Sequence, residues 1–380
     1  MLPLNDITER VFRPNPEYRY QGRDSVANAA VKELISRPGV AGVLRAPTGE
    51  TKIVGEEVAV LYEDLTQAAR LSGPLLEKIS RHSTANIVLA ALVLDKILEV
   101  QSDGGYVSGV EAHAVMFGRR RAYEPRDAIS LLSVEALKYG QALRLSDAYL
   151  LAGRLYCFNR RPASSSWRFK LPSRQSVAEY LGEANGDWAR APAEPERPEW
   201  LIWHAKAAPG RSPGEPQYKL YISPEPAYLR ESLSAALPAL TASGAHAFKT
   251  GADLHGILRP DKFVAYFSNR ERMFEAGLQI GSRLSGVPAQ GVPFTAGMEG
   301  GGIVSWGIDP PAHAVIFPWS GRSWRCWLTD RLAAALIVAG SDSAPVPAWE
   351  FALDRLRLDG VDPANWEPDA ALWRAKDSSA

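Results

Sequence analysis

The chain has 380 residues, of which 46% are hydrophobic and 23% charged, and its 43 Lys and Arg balance its 43 Asp and Glu. That length supports more than one domain and a substantial core. Zero net charge excludes the broad basic surplus that bulk nucleic-acid or anionic-membrane binding needs, although a local cationic pocket remains open.

The two cysteines, Cys157 and Cys326, are too few and too far apart for a metal site or a disulfide framework. No His-x-x-x-His spacing suggests zinc or iron. No Gly-rich phosphate loop is present either: GMEGGG at 297–302 lacks the Lys-Ser/Thr that would follow, and reads as a flexible turn. The expectation is therefore no metal and no cofactor. No apolar run reaches the roughly 20 residues of a membrane span. The opening MLPLNDITERVF carries acids and lacks an apolar signal core, so a cytoplasmic location is expected.

Residues 1–125 read as a first, mostly helical segment. Val58 to Leu61 has the composition of a strand. Leu65, Ala68, Ala69, Leu76 and Ile79 follow helical spacing, with a kink expected at Gly73-Pro74. Ser83 or Thr84 can cap a further helix burying Ile87, Leu89, Ala90, Leu94 and Ile97. DGGYVSG then turns into a short strand. Helix, helix and hairpin outline a winged-helix module, read either as a site that takes a peptide along a sheet edge or as a plain helical cap. Arg119 to Arg121 form a short basic run, either a solvated linker or a contact for an acidic leader peptide.

Residues 126–340 read as a second segment, with 341–380 as a tail. DAISLLSVEALKYGQAL and SDAYLLAGRLYCF are helices. Two Pro-rich connections, Pro192 to Pro198 and Pro209 to Pro216, bracket a strand from Glu199 to His204; the second reads as an exposed hairpin loop. Tyr218 to Ile222 is aromatic and β-branched, hence a strand. Leu229, Leu233, Ala236, Leu237 and Leu240 mark a helix stopped by Gly244. Strands follow at Ala247 to Lys249 and Lys262 to Phe267, then a helix carrying Met273, Phe274, Leu278, Ile280 and Leu284. The fold class is α+β: an antiparallel or mixed sheet with helices on one side, preceded by the largely helical segment.

The basic residues of this region fall on sheet segments. Lys219 shares a strand face with Tyr221, Lys249 follows Phe248, and Arg259 precedes Pro260. Three such cations either converge on one anion, with phosphate the natural candidate, or lie on a solvated sheet face. Of the histidines, His204, in a strand, and His255, in a loop between Lys249 and Arg259, are the two candidate proton donors, a surface or structural role being the other reading of each.

The order KLYIS, then FK, then a single Arg before a strand ending in an aromatic pair, resembles the phosphothreonine lyases of bacterial type III secretion. It is still more similar to the HopA-type effector family and to the related lyase proteins of lanthipeptide and thioamitide biosynthesis. The resemblance implies that Lys219 and Arg259 bind phosphate and that Lys249 removes an α-proton. It puts Tyr221 where the lyases have an acid His, and His204 is the alternative acid. SGRSWRCWLTDRLAAAL resembles a late family segment in which a His-Arg pair opens a helix. This implies that Arg325 binds phosphate, with Trp324 in the His position. EYLGEANGDW resembles a Leu-x-x-Ala-Asn-x-Gly segment ahead of a Trp.

The implied function is peptide binding in ribosomal peptide natural-product biosynthesis, with elimination of phosphate from phospho-Ser or phospho-Thr. The alternative is an inactive homologue that presents the precursor peptide to another modifying enzyme. Partners would be the precursor peptide and other biosynthetic enzymes, with no nucleic acid and no membrane.

Overall fold

The computed structural model describes residues 4–26, 29–36, 39–47, 51–80, 83–118, 123–182, 184, 186–192, 198–207, 217–299, 301–310, 323–340 and 344–369. Arg119 to Arg121, most of the first Pro-rich connection and the expected hairpin loop at 209–216 lie outside the described residues.

The first part of the chain runs β1 (Val11–Pro14), β2 (Arg19–Gly22), α1 (Ala29–Ile35), β3 (Val40–Arg45), β4 (Thr51–Gly55), α2 (Glu56–Asp64), β5 (Ala69–Arg70), α3 (Gly73–Ile79), α4 (Ala85–Leu94), β6 (Leu98–Ser102), β7 (Gly105–Val107) and α5 (His113–Phe117). The middle runs α6 (Ala128–Ala142), α7 (Ala148–Tyr156), α8 (Ser165–Lys170), α9 (Arg174–Leu181), β8 (Trp188–Arg190), β9 (Trp200–Ala205), β10 (Tyr218–Ile222), α10 (Leu229–Ala242), β11 (Ala247–Gly251), α11 (Leu254–Ile257), β12 (Phe263–Phe267) and α12 (Arg270–Arg283). The chain closes with β13 (Ala296–Gly297), β14 (Val304–Ile308), α13 (Trp324–Ala339), α14 (Ala348–Leu358), β15 (Val361–Asp362) and β16 (Glu367–Pro368).

The fold is α+β. Its largest sheet has the order β13-β14-β10-β12-β11-β9-β8, antiparallel throughout. Leu220, Phe248, Ala265 and Trp306 on one face pack against Val177 of α9, Leu233 and Leu237 of α10 and Met273 and Ile280 of α12. α10 and α12 have the apolar spacing read from the sequence, and α12 is capped by Asn269, whose side chain accepts from Arg272 N.

The amino-terminal segment departs from expectation. It carries two small antiparallel sheets, β5-β1-β6-β7 and β2-β3-β4, beside its helices. The expected strand at Val58 to Leu61 is helical instead. Glu56 and Glu57 occupy the first turn of α2, where carboxylates favour a helix, and Val58 and Leu61 are buried three residues apart. Gly73-Pro74 opens α3 rather than kinking a longer helix, because a first turn leaves the missing proline N–H unused. Thr84 caps α4, accepting from Ile87 N at 3.4 Å.

One apolar core draws on all three expected segments: Phe12, Leu61 and Leu89 join Leu137 of α6, Leu328 and Leu332 of α13, Phe351 and Leu356 of α14, and Trp366. Among the described residues no helix is long and apolar enough to cross a membrane.

Candidate functional site

The register of the large sheet decides which side chains meet. Lys219 pairs with Tyr266 and Tyr266 with Ala247, which pairs with His204. One row along, Tyr221 pairs with Val264, Val264 with Lys249, and Lys249 with Ile202. Directly paired residues lie on the same face. Lys219, Tyr221, Lys249, Tyr266 and His204 therefore share the face opposite α10 and α12. An apolar floor of Tyr221, Val264 and Val292 runs between them, with Tyr266 packed on it.

Aromatic rings space the cations. Lys249 Nζ lies 3.8 Å from the Trp200 ring centre and 5.8 Å from that of Tyr266, and Lys219 Nζ lies 5.9 Å from Tyr266. The Arg259 guanidinium stands 4.6 Å from the same Trp200 ring, so Trp200 bridges Lys249 and Arg259. Lys219 also forms an ion pair with Asp309. Asp309 is held in turn by Trp324 N at 3.0 Å.

Arg259 and Arg325 converge on Asp261. Arg259 Nε and Nη2 reach its two oxygens, each at 2.9 Å, and Arg325 Nη1 lies 2.9 Å from Oδ2. Tyr156 completes the cluster, donating from its hydroxyl to Asp261 Oδ2 at 2.9 Å and accepting from Arg259 Nη2 at 2.9 Å. Burial pushes the Asp261 carboxyl up, but Arg259 and then Arg325 outweigh it and hold it well below the usual carboxylate range. Burial and the Asp261 charge push the Tyr156 phenol up. Arg325 is 1% exposed, and its other nitrogens donate to Pro293 O at 3.2 Å and Tyr156 O at 2.9 Å. Its Nη1 makes an ion pair without hydrogen-bond geometry.

Of the residues singled out from sequence, Lys219, Tyr221, Lys249 and His204 are thus brought to one sheet face. Arg259 meets Lys249 through Trp200, and Arg325 lies behind Arg259, enclosed by protein. Burial raises the Tyr221 phenol well above its ordinary range, so it keeps its proton. His204 is exposed, diagonally across from Lys249. His255 sits exposed on α11 instead of in a loop, because Asp253 accepts from Gly256 N at 2.7 Å and starts a helical turn. Trp324 is fully buried and donates from Nε1 to Phe294 O at 2.8 Å, and its indole lies against Gly307 of β14.

Sequence reading missed Tyr156, Trp200, Asp261, Asp309 and Lys262. Asp261 was visible in Arg-Pro-Asp-Lys, but its second arginine lies far along the chain. Lys262 is fully buried next to the site, donating to Pro224 O at 2.8 Å and Gln290 Oε1 at 2.5 Å. Burial lowers its ammonium to about 7.

Among the described residues, Lys219 pairs with Asp309, while Arg259 and Arg325 share Asp261. Chemically, the arrangement offers an amine, phenolic and imidazole proton carriers, and guanidinium groups edged by aromatic rings.

No protein-family model matches the chain, and no curated protein matches it. Among solved structures it is similar to an effector protein from Pseudomonas syringae pv. tomato strain DC3000, with 14% identity, a TM-score of 0.43, and coverage of 63% of this chain and 96% of that one. An effector protein from Pseudomonas syringae pv. syringae strain 61 shows 13% identity, a TM-score of 0.41, and coverage of 64% and 99%. The type III effector and phosphothreonine lyase OspF from Shigella flexneri is more distant, with 13% identity, a TM-score of 0.27, and coverage of 45% and 90%.

Proposed function

We propose that this protein binds a peptide across the basic face of its large sheet and eliminates phosphate from a phosphorylated Ser or Thr in it, leaving a dehydroamino acid. The observation that carries this reading is the register that sets Lys219, Tyr221 and Lys249 around one apolar floor, with Arg259 joined to Lys249 through Trp200. Lys249 Nζ takes the proton from the substrate Cα. The electron pair of that C–H bond becomes the second bond between Cα and Cβ, and the Cβ–O bond breaks with its electrons leaving on phosphate. Lys219 and Arg259 hold the departing oxygens, while Arg325 positions Arg259 through Asp261. Tyr221 donates a hydrogen bond to the leaving oxygen, and His204 is the second candidate for delivering a proton. The sequence resemblance extends the proposal to a ribosomally made precursor peptide, handled together with other modifying enzymes.

A second reading keeps the peptide and drops the chemistry: the pocket is a platform that presents the precursor to another enzyme. The internal pairing of Lys219, Arg259 and Arg325 with Asp309 and Asp261 favours it. Mass spectrometry of phosphorylated and unphosphorylated peptide incubated with this protein alone separates the two. Loss of the elements of phosphoric acid is expected, and Lys249→Ala is expected to slow that loss by about 10²–10⁴-fold while leaving peptide affinity largely intact. Tight binding of the unphosphorylated peptide with no mass change in the phosphopeptide sinks the elimination and leaves the platform.

A further inference from the structure

Between Asp147 and Glu179 the chain has no acidic residue, yet it carries Arg154, Arg160, Arg161, Arg168, Lys170 and Arg174. In a chain with zero net charge, this is a concentrated basic stretch. Both of its ends are fastened at the site. Tyr156 binds Asp261 and Arg259, and Arg161 N donates to Leu258 O at 3.0 Å. At the far end, Arg174 Nη2 donates to the backbone oxygen of Trp200 at 2.9 Å, and the ring of that residue lies beneath Lys249.

The middle of the stretch faces outward. In α8, Trp167 and Lys170 are three residues apart and both meet the Tyr180 ring, at 6.1 Å and 4.4 Å. Arg168 and Phe169 are left on the outer side, and Phe169 is 90% exposed. Arg160 is exposed as well. Neither Arg160 nor Arg168 has an acidic neighbour in sequence, whereas Arg161 is neutralised by Glu225. A phenyl ring 90% exposed beside arginines that make no ion pair among the described residues, on a strap tied down at both ends, suits a partner with carboxylates around an apolar side chain.

We propose that the strap from Arg160 to Lys170 docks an acidic segment of the peptide substrate, with Arg160 and Arg168 meeting its carboxylates and Phe169 taking an apolar side chain. This rests on the peptide reading of the site and names the substrate class: peptides whose acidic stretch lies outside the residue that reacts. Single-stranded nucleic acid is the competing occupant of a basic and aromatic surface, and the neutral chain as a whole disfavours it.

The test is a fluorescence-anisotropy titration of the full chain with a fluorescein-labelled Glu/Leu peptide, its Lys/Leu counterpart and a labelled single-stranded oligonucleotide. Wild type is expected to bind the Glu/Leu peptide, more weakly as salt rises, and not the Lys/Leu peptide. Arg168→Glu combined with Phe169→Ala is expected to weaken binding by about tenfold or more, and Arg160→Glu to weaken it also. Circular dichroism and melting temperature establish that the variants fold. Elimination from a short phosphopeptide without acidic residues is expected to be unchanged in the same variants. Equal binding of the Glu/Leu peptide by wild type and variants, no binding by wild type, or tighter strap-dependent binding of the oligonucleotide overturns the proposal. Failure of the elimination reading shows separately, as strap-dependent peptide binding with no turnover of any phosphopeptide.

Discussion

Asp261 and Lys262 are neighbours in sequence and both are enclosed, yet the protein treats their charges in opposite ways. Asp261 meets two guanidinium groups and a phenol, so it stays ionised. Lys262 meets a backbone carbonyl and a side-chain amide, which accept hydrogen bonds without balancing a full charge. Burial therefore lowers its ammonium from 10.5 to about 7, against the upward pull of Glu225 and Asp261. The sign of the pH dependence follows. Between about 7 and 10.5 the unfolded chain holds a proton on this residue that the folded chain has released, so stability rises with pH across that window. Below about 7 both states are protonated and the burial cost is fully present. From pH ~7 to pH ~9 the wild type should gain about 2 kcal/mol from this group, a gain that Lys262→Met should lack. Urea unfolding of both proteins at the two pH values checks it, and identical pH dependences would remove Lys262 from the account.

At the scale of elements, the turn between β11 and β12 brings Arg259 back towards Lys249. Its geometry depends on two glycines in contact. A Cβ on Gly251 would lie 2.2 Å from the Gly256 carbonyl carbon, and one on Gly256 would lie 2.7 Å from the Gly251 Cα. Backbone meets backbone there, with no flexible side chain to yield. Gly251→Ala is expected to cost about 1–3 kcal/mol in urea unfolding and to weaken phosphopeptide binding by moving α11 with the Arg259 that follows it. Unchanged stability would show that the turn can relax.

This is also the scale at which sequence legibility changes. The aromatic and β-branched composition of KLYI and FVAYF, and the apolar spacing of 229–240, carried much of the large sheet and its helices, because each pattern is local. That Lys219 and Tyr221 share a face followed from parity along their strand, whereas Lys249 joins them through the sheet register. Asp261 as the shared partner of Arg259 and Arg325 did not follow, since Tyr156 and Arg325 reach it from α7 and α13 by tertiary packing. In the first segment, VAVLY has the composition of a strand, but two glutamates at a helix start and a buried face outweighed its β-propensity.

For the whole molecule, α13 is the link between the site and the amino-terminal segment. It carries Arg325 into the Asp261 cluster and, further along, Arg331 towards Asp95 at the end of α4. Asp95 also binds Arg355 of α14 through both oxygens, at 2.8 Å and 2.7 Å. Burial pushes its carboxyl up, but Arg355 and Arg331 pull it down to about 2. Its stabilising contribution is present above the ordinary carboxylate range near 3.8 and is lost as pH falls through about 2. Removing it takes from two buried arginines one of the two carboxylates they share and leaves Asp359. Asp95→Ala is expected to cost about 3–5 kcal/mol, towards the lower figure because Asp359 remains. The shared apolar core predicts that this loss spreads beyond the site of the change. Under conditions where exchange reports global opening, amide hydrogens of α4 and of β10 should both exchange faster in the variant, and by similar factors. Acceleration confined to α4, with β10 unchanged, would mean that the amino-terminal segment opens by itself and that the sheet bearing Lys219 and Tyr221 holds its shape without it.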